Sequence, residues 1–213
     1  MIYFTADQHF GHANIIRLCS RPFPDVRVMD EALIENWNRR VTNRDTIYII
    51  GDLFFRNEVP AEKYLKRLKG KKHLLLGNHD STWIHKVDLA EYFLSVERLA
   101  EIEVGQRELV LCHYPMMSWN GMSRGSFMIH GHIHESTRAQ YWPLLQNNPH
   151  ILNAGVDINS FGPVTFEEML ENNMRHKEKA ANAVSQAQSP DGEANAVSQA
   201  QSPDGEANTP EEL

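Results

Sequence analysis

The feature that most constrains this chain is a short apolar run, His73-Leu74-Leu75-Leu76, that stops abruptly at Gly77-Asn78-His79-Asp80. An amide oxygen, an imidazole and a carboxylate then stand just past a strand's carboxyl end, where open α/β sheets collect their ligands. The pattern recurs along the chain. Met1–Ala6 ends at Asp7-Gln8-His9, Thr46–Ile50 at Gly51-Asp52, and Glu108–Cys112 at His113. Phe127–Ile129 runs into His130-Gly131-His132-Ile133-His134. Residues of this kind can act together only if the fold brings these ends to one edge.

Singly, the motifs have ordinary readings. Asp7-x-His9 is either a turn or, if extended, a chelating pair with both side chains on one side. Gly51-Asp52 is common turn chemistry. His113 is a core histidine or a ligand. His130, His132 and His134 form the strongest signal, because three histidines in five residues are rare outside metal sites. Jointly the set holds two carboxylates, an Asn carbonyl and several imidazoles, with no thiolate. Two divalent ions sharing a bridging carboxylate lie ~3.5–4 Å apart, each with about four or more ligands. Asp52, on a strand expected to be central, is the natural bridge. Nitrogen and oxygen donors without sulfur suit two divalent ions drawn from Mn, Fe, Zn, Ni or Co, and Mn is placed first.

Between these runs the chain alternates. Residues 12–19 read as a short helix, and Pro22 and Pro24 impose a loop. Asp30 is placed as the N-cap of a helix to about Val41, with Leu33, Ile34, Trp37 and Val41 at helical spacing. Pro60 suits the first turn of a helix to about Leu68, which Gly70 stops. Residues 82–92 read as helix. Val96–Val104 and Glu108–Cys112 flank Gly105-Gln106 as a hairpin, and Ile151–Val156 is a further strand. Thr165 and Glu168 form a capping box for a helix to about Met174. Early strand–helix alternation followed by successive strands predicts an α/β fold with two sheets and helices outside.

The 213 residues suffice for one domain, 1–180. The remainder, 181–213, is different material: Ala181–Glu193 repeats unchanged as Ala194–Glu206, without aromatic or basic residues. It cannot bury enough apolar surface to offset its ordering entropy and reads as a disordered acidic tail. Six acids there leave residues 1–180 at −1 out of the chain's −7. A near-neutral body is not the footprint of a protein that tracks duplex nucleic acid. Cys19 and Cys112 form no Cys-x-x-Cys pattern. No apolar run approaches the ~18 residues that span a membrane, so the expected location is cytoplasmic.

In order and spacing, Asp7-x-His9, Gly51-Asp52, Gly77-Asn78-His79-Asp80, His113 and Gly131-His132-x-His134 resemble the blocks of the calcineurin-like metallophosphoesterases. Ser118-Trp119-Asn120-Gly121 looks like a small bacterial and phage branch of that family. The resemblance implies a four-layer α/β/β/α sandwich of two mixed β-sheets flanked by helices, with a binuclear metal site at the strand ends. Asp7, His9, Asp52 and His134 would hold one ion, and Asp52, Asn78, His113 and His132 the second. His79 would protonate the departing oxygen and Asp80 would orient His79. A phosphodiester or phosphomonoester would be cleaved by in-line attack of a metal-bridging hydroxide, and the retained His79 leans toward poor leaving groups, diesters included.

Arg56 stands four residues past Asp52, where phosphoprotein phosphatases of this superfamily keep a phosphate-gripping arginine. A solvated arginine is the other reading. His12 and Asn14 are candidates for lining the pocket, and Tyr114–Ser126 for setting specificity, with Arg124 a further phosphate ligand. A plain core lid is the alternative for that loop. The expected partner is a small-molecule phosphoester, with no membrane and no nucleic acid, the oligomeric state being open. A DNA or RNA nuclease of the same fold would want a basic face. A non-catalytic metal-binding module would want decayed ligands, and none is decayed.

Overall fold

The computed structural model describes residues 1–55 and 59–187. Strands β1 (Ile2–Thr5), β2 (Thr46–Ile50), β3 (Lys71–Leu75) and β4 (Phe93–Glu97) form one sheet in that order. Each neighbouring pair is parallel, which requires a crossover between strands. Helices α1 (Ala13–Leu18) and α2 (Val26–Arg40) occupy the first crossover, α3 (Ala61–Leu65) the second and α4 (Leu89–Tyr92) the third. A second sheet holds β5 (Leu99–Val104), β6 (Arg107–Cys112), β7 (Phe127–His130) and β8 (Ile151–Asn153). There β5 and β6 are an antiparallel hairpin, turning at Gly105 with φ +64°, and the other two pairings are parallel. Helix α5 (Trp142–Gln146) precedes β8, and α6 (Phe166–Ala187) closes the described chain.

Alternation along the strands builds the layers. Tyr3, Ile47 and Ile49 face a core shared with Met29, Leu33, Ile34 and Trp37 of α2. Phe4, Ile50 and Leu75 face a second core with Leu109, Leu111, Ile129 and Leu152 of the other sheet. Each fully buried side chain of this kind stabilises by about 1.5–3 kcal/mol. The two sheets are stitched where β1 meets the chain after β8. Ala6 N–H donates to Ala154 O at 3.0 Å, and Val156 N–H donates to Ala6 O at 3.1 Å. Contacts divide the chain into a body, Met1–His176, and a unit starting at Lys177.

Several expectations need correction. The four strands of the first sheet pair in parallel, and its antiparallel contact is the isolated bridge of Phe4 with Val164. Asp25, not Asp30, caps α2, accepting from Val28 N–H at 2.9 Å. Asp30 lies buried inside that helix and accepts from Gly11 N–H at 3.1 Å and Tyr64 Oη–H at 2.7 Å. A residue with capping chemistry serves a tertiary contact instead, which local pattern cannot distinguish. The span 82–92 is two 3-10 turns, Asp80–Thr82 and Ile84–Lys86, followed by α4. Val96–Val104 breaks at Arg98, and its halves belong to different sheets. Helix α3 stops at Leu65, and β8 ends at Asn153. The capping box is present: Thr165 N–H reaches Glu168 Oε2 at 2.9 Å. Its helix continues past Met174 to Ala187, into the segment expected to be disordered. Residues 188–213 and Arg56 lie outside the described residues.

Candidate metal centre

The strand ends meet at one edge. Asp7 N–H donates to Gly51 O at 3.1 Å, His9 N–H to Asp52 O at 3.0 Å, and Gly131 N–H to His113 O at 3.0 Å. Among the described residues eight non-glycine positions have positive φ, and five are Asp7, His9, Asp52, His132 and His134. Such backbone costs on the order of 1–3 kcal/mol per residue and persists only where the surroundings impose it. Asp7-x-His9 is therefore not the extended pair the sequence suggested. Two left-handed residues aim its side chains. Glycines make the room: a Cβ on Gly51 would stand 2.4 Å from His113 Nδ1, and one on Gly77 2.3 Å from Asp52 Oδ1.

The side chains gather in two groups. Donor atoms of Asp7, His9 and His134 lie within 4.8 Å of one another, as do those of Asp52, His113 and His132. Asp52 Oδ2 sits between the groups, 3.3 Å from His113 Nε2 and 3.7 Å from His9 Nε2. Asn78 Oδ1 faces His113 Nε2 at 3.0 Å and His132 Nδ1 at 3.1 Å. Divalent cations fit this arrangement. The buried Nε2 of His9 has no hydrogen-bond partner among the described residues, and a lone pair left so is costly unless a cation takes it. The donor set of imidazole, carboxylate and amide oxygen is a divalent-ion set.

Hydrogen bonds on the far ring nitrogens orient the imidazoles. His113 Nδ1 is 2.9 Å from Ile50 O, which fixes that N–H and turns Nε2 toward Asp52 and Asn78, where a bound cation would take the place of its proton. His134 Nδ1 is 2.8 Å from Asp157 Oδ2, leaving its Nε2 for the cluster. Electrostatics follow the same contacts. Burial pushes the Asp7 carboxyl up to about 6, against the pull of His134 and His113. Burial opposes charge on His134, yet its bond to Asp157 holds the imidazolium up to about 11. For His113 burial again opposes, and the bond to Asp52 lifts it to about 9. Burial and the neighbouring His113 press His132 down to about 4.

His79 stands at the rim, 22% exposed, with Nε2 3.9 Å from Asp52 Oδ2, and belongs to neither ligand group. Its backbone N–H donates to Asp52 Oδ1 at 2.9 Å. Asp80 is placed otherwise than the resemblance implied. Its carboxylate is fully buried and accepts from Asp52, Gly77 and Leu53 N–H and the Trp83 indole at 2.8–3.0 Å. Both oxygens are taken, so Asp80 reaches His79 through the shared turn and its charge rather than through a bond to the ring. Arg124 pairs with Glu108 at 3.1 Å, in a groove also lined by Glu101 and Glu103, an acidic setting unsuited to a phosphate ligand.

Sequence reasoning missed Arg21 and Asp157. The Arg21 side chain is buried, with Nε 2.8 Å and Nη2 3.1 Å from the Asp157 carboxylate. It also donates to Asp7 O at 2.7 Å and Gln8 O at 2.9 Å. One guanidinium thus holds the partner of His134 and the backbone of the Asp7 turn. Asp157 was findable: it lies just past the β-type run Ile151–Val156, another strand end with a carboxylate. Arg21, between a helix and prolines, carries no signal. Arg21→Gln is expected to cost about 3–5 kcal/mol, because it breaks a buried ion pair and leaves Asp157 to His134 alone and the Asp7 and Gln8 carbonyls without their donor. It should also weaken metal binding by roughly 10–100-fold. Thermal unfolding and metal titration check the two effects separately.

This edge brings histidines, carboxylates and an asparagine together as a donor set that divalent ions fit. A model of the calcineurin-like phosphoesterase family matches residues 1–180, and the chain belongs to that family, whose chemistry is metal-dependent hydrolysis of phosphoesters. An uncharacterized protein of Methanocaldococcus jannaschii is 32% identical over 168 residues, covering 78% of this chain and 87% of that protein. The gene 66 protein of Mycobacterium phage L5 is 25% identical over 201 residues, covering 82% of this chain and 94% of its own. A crystal structure of a protein of unknown function from Aquifex aeolicus aligns with TM-score 0.63 and 26% identity, covering 80% of this chain and 98% of that one. Among the described residues no helix is long and apolar enough to cross a membrane.

Proposed function

We propose that the chain is a binuclear phosphoesterase, that His79 is its general acid, and that phosphodiesters are favoured over monoesters. The observation that carries this reading is the position of Asp52 Oδ2 between the two ligand groups, beside the unpartnered His9 Nε2. Asp7, His9, Asp52 and His134 would hold one divalent ion, and Asp52, Asn78, His113 and His132 the other, with Mn the first choice in a cytoplasmic setting. Such ions acidify water and neutralise phosphate charge. The chain's own residues do the rest. Asp52, anchored by His79 N–H, fixes the spacing of the two groups. Arg21 and Asp157 hold the His134 ring so that its Nε2 points inward. His79, partly exposed at the rim, delivers its Nε2 proton to the departing oxygen, which matters most when that oxygen leaves poorly. Arg56 would hold two phosphate oxygens with its guanidinium fork.

The test uses metal-stripped protein with Mn, Ni, Zn or Mg added back, assayed on a series of aryl phosphodiesters and monoesters graded in leaving-group acidity. His79→Ala is expected to lose about 10²–10⁴-fold on the poorest leaving groups and much less on the best. A uniform loss across the series would remove His79 from the general-acid role. Metal-independent turnover would end the binuclear reading.

A further inference from the structure

Two aromatic groups outside the ligand set border the centre. Tyr114, the residue after His113, lies edge-on to His113 at 5.1 Å between ring centroids and to His132 at 4.8 Å, and is 45% exposed. Past Asp52 and His79, Phe55 meets the His79 ring edge-on at 4.6 Å and packs at a tilt against His12 at 4.1 Å between centroids. The row by contact is therefore Tyr114, His113, Asp52, His79, Phe55. Phosphate chemistry would occur in its middle, and aromatic surface closes both ends.

We propose that Tyr114, which borders the centre at His113 and His132 as Phe55 borders it at His79, is a specificity-determining residue that takes a planar aromatic or heterocyclic group of the phosphoester. The substrate class is then aryl or nucleoside phosphoesters rather than alkyl ones, an inference that rests on the phosphoesterase reading. The Tyr114 ring meets the two histidines at steep interplanar angles and still leaves surface toward solvent, and an exposed aromatic beside a reaction centre is surface available to a ligand. Its packing against His113 and His132 places the ring, and the loop further on is tied to itself. Buried Trp119 donates its indole N–H to Ser126 Oγ at 2.9 Å, and Ser126 Oγ–H donates to Asn120 O at 2.7 Å. A ring positioned before binding loses little freedom when a ligand stacks on it. Stacking needs no hydrogen-bond match, so different planar groups are accepted alike.

Calorimetric titration of the metal-loaded full chain with benzylphosphonate and butylphosphonate tests this, because both carry the same charge and neither is hydrolysed. Wild type is expected to bind the benzyl compound about tenfold more tightly. Tyr114→Phe should keep that ratio, and Tyr114→Ala should bring it close to one. A ratio retained in Tyr114→Ala, no preference or no binding in wild type, or equal losses in the Phe and Ala variants would each overturn the proposal. Turnover of an aryl phosphodiester, measured in parallel, separates the two readings. Turnover without the benzyl preference defeats only the aromatic rim, and the preference without turnover defeats only the hydrolytic reading.

Discussion

Asp52→Asn is expected to lower phosphoester turnover by roughly 10³-fold or more, a loss of the size that follows from removing a key charge-stabilising group at a reaction centre. The asparagine keeps the shape and keeps an oxygen for His79 N–H, which Asp52 Oδ1 now accepts at 2.9 Å. What it loses is the anion that His113 and His9 both face. An amide oxygen is a weak bridge between two cations, and an amide nitrogen is none. Burial pushes the Asp52 carboxyl up, but the bond and charge of His113 win and hold it below the ordinary range. Metal content per chain should fall along with kcat/KM, while the apolar layers on either side of the first sheet are untouched. Elemental analysis after dialysis, beside kinetics and thermal unfolding, reads all three. Turnover within tenfold of wild type at full metal content would mean that Asp52 is not the bridge.

The strand ends were legible in sequence because two independent patterns coincide there. An apolar run of strand length marks β2, a shorter one marks the end of β3, and polar residues with ligand chemistry follow closely. The direction in which the ligands point was not legible. It depends on left-handed backbone at Asp7, His9 and Asp52, which is imposed by pairing between strands remote in sequence, such as His9 N–H to Asp52 O. The Arg21–Asp157 pair joins residues 136 positions apart, so no local window contains it. Asp30 misled for a related reason: its carboxylate serves Gly11 and Tyr64 rather than its own helix. The 3-10 turns after Asp80 were not legible either. The Trp83 indole bonds Asp80 Oδ1 at 2.8 Å, a contact that accompanies the tight backbone bonds from Thr82 N–H to His79 O and Trp83 N–H to Asp80 O.

That contact leads to the second large effect. Asp80→Asn is expected to lower the melting temperature by roughly 6–20 °C, because it leaves about 3–5 kcal/mol of buried donors unsatisfied. The arithmetic is local. Oδ2 accepts from Asp52 N–H at 2.9 Å and Gly77 N–H at 2.8 Å, while Oδ1 accepts from Leu53 N–H at 3.0 Å and the Trp83 indole. An amide offers one acceptor, so its NH₂ must face two N–H groups whichever way it turns. These donors belong to the turns that carry Asp52, Asn78 and His79, so metal affinity should drop together with stability. His79→Ala makes the useful contrast, since a rim histidine should lose turnover at nearly unchanged melting temperature and metal content. Should Asp80→Asn instead behave like His79→Ala, losing turnover with melting temperature and metal content intact, then Asp80 would act through the imidazole and not as the tie between two strand ends.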